Sequence, residues 1–156
     1  DIDDKKLKVA SEMGFTTINS KDHDPVEAIK ALTNGLGAQR VVEAVGLSVT
    51  FLQAIKIASR AGEVVFMGNI QGEFKIGEKD FSSLLRRELT IYGTWNSKVV
   101  PSGSDDWTTV LNYMDKGLQV APLISDVVSL EEGPEIFHSI HEKKKFHNKV
   151  IIKHAE

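Results

Sequence analysis

Apolar residues follow two rhythms along this chain. In the first, Leu7, Ala10 and Met13 recur every three residues behind the acidic pair Asp3 and Asp4, a spacing that lines one face of a helix. Acidic residues favour a helix start at that point, by side-chain capping and by meeting the positive end of the helix dipole, and Gly14 predicts the stop. A second helix is predicted over Pro25–Leu32, entered at Asp24-Pro25 and closed by Asn34-Gly35. A longer one is opened by Ser48, carries Phe51, Leu52, Ile55 and Ala58 on one face, and runs to Gly62. Three more are predicted over about 80–87, 105–116 and 130–144. In the second rhythm, short runs rich in β-branched residues do not alternate with polar ones. They predict strands over 15–19, 40–45, 63–67 (EVVFM), 89–92, 127–128 and 150–153. A Pro/Gly/Ser-rich connection over 101–104 separates the last four elements from the rest.

Helices alternating with such strands predict βα units, and so a parallel sheet covered on both faces. Three of the strands end at a glycine: Gly46, Gly68 and Gly93. Ligands of open α/β sheets bind outside the carboxyl ends of the strands, where a glycine lets backbone approach a ligand closely. The plainer reading is that each glycine only turns the chain.

Composition then narrows the partners. The 156 residues are 41% hydrophobic and 26% charged, enough to bury a core, and the net charge of −3 provides no basic face for nucleic acid or an anionic membrane. No apolar run approaches the roughly 18–20 residues needed to span a bilayer. Cysteine is absent, which removes disulfides and thiolate zinc ligands and fits a cytoplasmic chain.

Few residues offer chemistry by spacing alone. Gly35 and Gly37 in NGLGAQRV follow a helix and precede a strand, the reverse of the order a phosphate-binding loop needs. His138, His141 and Glu142 share a helical face at metal-ligand spacing, but Lys143, Lys144 and Lys145 beside them would repel a cation, so a solvated face is expected. Arg86 and Arg87 could meet a phosphate, the safer expectation being a surface pair ahead of Glu88. No Ser-His-Asp or paired-carboxylate arrangement stands out. Asp1 is the sharpest case: a carboxylate closing the second strand of a dinucleotide-binding unit accepts hydrogen bonds from the adenosine ribose and repels a 2′-phosphate. Position alone favours the plainer reading, a frayed acidic N-terminus. Two classes therefore stand at this point, part of a nucleotide-dependent enzyme and a non-catalytic α/β nucleotide-binding or interaction module.

The order of motifs separates them. DIDDKKLKVASEMG, GAQRVVEAVG, AGEVVFMGNI and LLRRELTIYGTWNS, followed by PLISDVVSLEEGPEIFHSI and NKVIIK, resemble the later half of medium-chain, zinc-dependent alcohol and polyol dehydrogenases. The resemblance implies a partial Rossmann-type doubly wound parallel sheet over 1–97, lacking its first two strands, and a C-terminal helix with a return segment of the catalytic domain over 98–156. It implies NAD as cofactor, bound by Asp1 and Lys6 at the ribose, Val45 and Gly46 on the adenosine side, Gly68, Asn69 and Ile70 beside the nicotinamide, and Thr94, Trp95 and Asn96 on the nicotinamide side. Lys149 would fall near the active-site cleft. The substrate would be a polyol or polyol phosphate, and the assembly a homo-oligomer. Zinc ligands and catalytic residues would lie in an N-terminal part not represented here, so the 156 residues by themselves are expected to be inactive.

Overall fold

The computed structural model describes residues 1–100 and 105–154; the connection expected over 101–104 lies outside them. The chain divides into two compact units, Ile18–Asn96 and a second made of Asp1–Thr17 with Ser97–Glu156.

With the helices numbered from the start of the chain, α1 Asp4–Glu12 belongs to the second unit, and the unit Ile18–Asn96 holds α2 Pro25–Leu32, α3 Ser48–Ile57 and α4 Glu78–Arg86 with three strands. Its strands are β1 Ala38–Glu43, β2 Ala58–Phe66 and β3 Thr90–Gly93, all parallel, in the order β1-β2-β3. Between the strands run helical crossovers, as parallel pairing requires. Val64 in the central strand is 0% exposed and packs with Ala54 of α3 and Ala58, flanked by Val41, Phe66 and Leu89. Phe51 of α3 meets Phe66 edge to face at 4.8 Å and leans on Phe74 at 5.7 Å. The predicted apolar face of α3 is the one that carries this core, with Phe51, Ala54 and Ile55 buried.

In the second unit, β4 Ile124–Ser129, α6 Gly133–His141 and β5 Lys149–Lys153 form a βαβ unit with parallel strands. Ile136 is the buried anchor of α6, and Gly133 brings that helix close to Ile152 of β5. Helix α5 Asp106–Asp115 starts at Asp105, whose side chain accepts from the Thr108 amide at 2.7 Å. A short 3₁₀ turn, Ala121–Leu123, leads into β4.

Two expectations about elements fail, for local reasons. Residues 15–19 join neither sheet. The Phe15 amide is spent on the Ala10 carbonyl at 3.1 Å and the Gly14 amide on Ser11 at 2.9 Å, the paired bonds that close a helix through a left-handed residue. The stretch therefore begins as the cap of α1, and no strand of the described residues pairs with it. The helix expected to run to Gly62 ends at Ile57, because Ala58 turns extended and pairs with Ala38. Residues 59–62 then bulge out of the ladder, which resumes at Glu63 opposite Arg40.

That early exit leaves α3 without the ending its neighbours use. Among the described residues, α1, α2, α4, α5 and α6 all close on a residue of positive φ (Gly14, Asn34, Glu88, Gly117, Lys143). The carbonyls at the end of α3 are met instead by Arg87. Its guanidinium donates to Ile55 O at 2.7 Å and Ala58 O at 2.6 Å, and Nε donates to Ser83 Oγ at 3.1 Å. Arg87 is thus no surface phosphate ligand, while Arg86 stays exposed. Partial burial draws the guanidinium pKa below its ordinary value, against the opposing pull of Asp80.

Arg87→Ala should lower the stability of the chain by about 2 kcal/mol, the worth of hydrogen bonds to a charged donor with the carbonyls left unmet. Arg87→Lys should recover less than half of that, since one ammonium cannot reproduce the fork. Urea denaturation checks both; an unchanged midpoint in Arg87→Ala would remove this cap from the account.

Candidate functional site

The tips of β1 and β2 come together at one buried glutamate. Glu43, the last residue of β1, is 3% exposed. Its Oε1 accepts from the Val45 and Gly46 amides, both at 2.9 Å, and from Thr50 Oγ at 2.6 Å; Thr50 Oγ in turn accepts from the Leu47 amide at 3.2 Å. The Glu43 backbone carbonyl accepts from Met67 and Gly68, at 2.9 and 3.0 Å. One residue thereby fixes the turn after β1, the entry to α3 and the tip of β2. Burial pushes the carboxyl pKa up, but the bonds from Thr50, Gly46 and Val45 outweigh it and hold the group below its ordinary value. Oε2 is buried with no hydrogen-bond partner among the described residues and faces Gly68. Ser48, expected to open α3 by capping, instead donates to the Glu73 carbonyl.

Two of the glycines at these tips make room for the neighbouring loop. A Cβ on Gly46 (φ +86°) would strike the Asn69 carbonyl, and one on Gly68 would strike the Gly46 amide and Glu43 Oε2. Both are glycine so that the two loops can touch each other. Gly93, by contrast, has open space where a Cβ would stand. Beyond the tips the loops stay joined: the Gln71 amide donates to Gly46 O at 2.8 Å, Leu47 bridges to Gln71, and the Thr94 amide donates to Phe66 O at 3.1 Å.

Val45, Gly46, Gly68, Asn69, Ile70, Thr94, Trp95 and Asn96 all follow the three parallel strands and belong to this unit. Val45, Asn69, Ile70, Thr94, Trp95 and Asn96 are exposed, Trp95 at 69%. Asp1 and Lys6 belong to the other unit. There Asp1 Oδ1 accepts from the Ile2 and Asp3 amides, at 2.6 and 3.0 Å, Asp3 caps α1 through the Lys5 amide at 2.9 Å, and Lys6 is exposed on α1. Lys149 opens β5 in that same unit.

His138 lies 2.8 Å from Glu142 and Lys144 pairs with Glu142 at 2.6 Å, so the suspected ligand face is a chain of polar contacts around Glu142. Among the described residues no three His, Asp or Glu side chains are arranged to hold a metal. The spacing concealed two clusters. Glu43 has a sequence signal, an ionisable residue ending a β-branched run three positions before a glycine. The other has none: Asp126, Ser139 and His147 meet in the βαβ unit with His147 Nδ1 2.8 Å from Asp126 and Nε2 3.0 Å from Ser139 Oγ. No Ser-His-Asp arrangement stood out from the sequence spacing, and the fold brings these three together.

A family model described as zinc-binding dehydrogenase matches residues 1–116. The chain belongs to this family. Galactitol 1-phosphate 5-dehydrogenase of Escherichia coli strain K12 is 26% identical over 142 residues, 90% of this chain and 41% of that protein. L-threonine 3-dehydrogenase of Bacillus licheniformis is 28% identical over 134 residues, 85% of this chain and 37% of that protein. This zinc-binding dehydrogenase chain therefore spans about two fifths of the length of the curated relatives it matches. Its fold is that of the crystal structure of galactitol-1-phosphate dehydrogenase from Escherichia coli, with a TM-score of 0.82 at 24% identity over 96% of this chain and 43% of that one. It is also that of 2R,3R-butanediol dehydrogenase from Bacillus subtilis, with a TM-score of 0.79 at 23% identity over 98% and 42%. The α/β class with parallel sheets expected from the sequence is the one observed, and it matches the C-terminal part of these dehydrogenases.

Because Glu43 titrates below its ordinary 4.5 when folded, its contribution to stability is complete above that pH and disappears as the pH falls through the folded value. Glu43→Gln should cost about 1–3 kcal/mol at pH 7, and the gap to the parent chain should narrow on acidification. Thermal melts of both proteins from pH 7 to 3 measure this; a gap that widens toward acid contradicts the ionised, triply bonded carboxylate.

Proposed function

We propose that this chain forms the cofactor side of an NAD-dependent dehydrogenase acting on the secondary alcohol of a polyol or polyol phosphate. The observation that carries the reading is the row of exposed residues following three parallel strands in a chain of this family. Open backbone at Gly93 and unburied side chains at Ile70, Thr94, Trp95 and Asn96 leave room and contact surface for a nicotinamide nucleotide. Bound NAD⁺ supplies a hydride acceptor.

In this reading Val45 and Gly46 line the adenosine side, Gly68, Asn69 and Ile70 stand beside the nicotinamide, and Thr94, Trp95 and Asn96 bound its other side. Asp1 receives the ribose hydroxyls with Lys6 beside it, and its negative charge disfavours a 2′-phosphate. Residues 1–97 serve the nucleotide and 98–156 return toward a catalytic domain. The polyol or polyol-phosphate assignment is supported by the names of the relatives, galactitol 1-phosphate 5-dehydrogenase among them. Like such enzymes by resemblance, the whole protein is read as a cytoplasmic homo-oligomer. Zinc does not fit the described residues, and none of the strand-tip residues named here is a proton-transfer group. The 156-residue chain alone is therefore read as inactive.

Amide NMR shifts on titration with NAD⁺ test this. Shifts should centre on Gly46, Gly68–Ile70 and Thr94–Asn96 with a dissociation constant no tighter than about 1 mM, because the sequence offers no G-x-G-x-x-G loop to hold the pyrophosphate. NADP⁺ should bind more weakly still, and Asp1→Asn should reduce that difference. No NADH should form at 340 nm from galactitol 1-phosphate, sorbitol or threonine. Shifts confined to other residues would overturn the nucleotide site, and NADH production would overturn the inactivity.

A further inference from the structure

The βαβ unit carries an ordered relay with no part in the proposed nucleotide site. Asp126 sits on β4, Ser139 in the last turn of α6, and His147 just before β5. Asp126 Oδ2 lies 2.8 Å from His147 Nδ1 and also accepts from Ser125 Oγ at 2.7 Å, while Oδ1 accepts from Lys145 Nζ at 2.7 Å. A carboxylate can only accept, so Nδ1 carries the proton and donates to it. In the neutral imidazole this leaves the Nε2 lone pair facing Ser139 Oγ, 3.0 Å away, with the serine as donor. The His147 side chain is 5% exposed, which fixes the ring. Ser139 lines a cavity of about 220 Å³ together with Val128, Glu132, Glu135, Ile136 and Lys145.

We infer that Ser139 is an activated nucleophile, and that its cavity is a site for covalent modification by small, uncharged or cationic acyl or phosphonyl donors. The arrangement has the parts such a reaction needs: a nucleophile, a base within hydrogen-bond reach, and a third group orienting the base. In the step, Oγ bonds to the acyl carbon or phosphorus as its proton passes to His147 Nε2. The bond to the leaving oxygen or fluoride then breaks, and the leaving group takes that proton. No oxidant or reductant enters. Lys145 brings positive charge to the wall where negative charge develops on the acceptor oxygen, and Glu132 and Glu135 select against anionic donors. Lys145 and the paired hydroxyl and imidazole hold Asp126 well below the usual carboxylate range, so the orienting group stays charged at neutral pH. The charged groups around the relay are Asp126 on β4, Lys145 in the loop bearing His147, and Glu132 and Glu135 on the α6 side.

The test treats the whole chain with an uncharged fluorophosphonate and with p-nitrophenyl acetate, and maps the adducts by peptide mass spectrometry. Modification should fall on Ser139, vanish in Ser139→Ala, and slow about 100-fold in His147→Gln, the low end of what a positioned base contributes. Circular dichroism shows whether each variant keeps the fold. Should His147→Gln unfold, the pH profile of the parent chain decides, since labelling must rise as the imidazole loses its proton. Adducts spread evenly over surface serines, a pH-independent rate, or a rate unchanged in a folded His147→Gln would each overturn the inference.

Discussion

A single buried glutamate organises the carboxyl end of the three-stranded sheet. Glu43 stands where β1 runs out of ladder, and by accepting from two amides and a hydroxyl it converts a strand end into a turn leading straight to α3. Its carbonyl simultaneously takes the amides of Met67 and Gly68, so β1 and β2 finish at one level. A neutral residue of the same size could not satisfy these donors as strongly, because hydrogen bonds to an ionised acceptor are roughly twice as strong as neutral ones. The charge is retained despite burial because the donors that surround it are fixed by the fold.

This constraint explains why the strand-tip glycines were legible while their purpose was not. The sequence pattern shows that a glycine is needed at Gly46 and Gly68 but cannot say which protein neighbour also needs the room. Those neighbours are each other's loops and the Glu43 carboxylate. The elements themselves were largely visible, because Asp24-Pro25, Asn34-Gly35 and the EVVFM run act locally. The misses came where a distant partner decides. The 15–19 stretch has strand-forming residues but joins neither sheet among the described residues, and its first amide serves the end of α1. The end of α3 moved to Ile57 because Ala58 found Ala38 across the sheet and Arg87 met the freed carbonyls.

Arg87 and the Asp126 relay make the same point about side chains. Arg87 and the α3 carbonyls it reaches are about thirty residues apart, and Asp126 and His147 are 21 apart. Spacing rules detect groups on one helix face or in one loop, which is why His138 and Glu142 were noticed and proved to be a surface pair. Groups that a parallel crossover brings together have no fixed separation, because the length of the connecting helix is free.

The division of labour at the strand tips then limits which residues can govern ligand choice. Gly46, Gly68 and Glu43 are committed to one another, and changing any of them alters the platform before it alters recognition. Ile70, Thr94, Trp95 and Asn96 carry no such duty among their side chains: they are exposed, and the Thr94 contact to β2 is made by its backbone. Discrimination between ligands rests on interactions made with one and denied to another, so it can be varied only at side chains the scaffold does not need. Relatives of this chain are named as dehydrogenases of galactitol 1-phosphate and of threonine, and exposed positions of this kind are the ones that can differ between related proteins without rebuilding the strand tips.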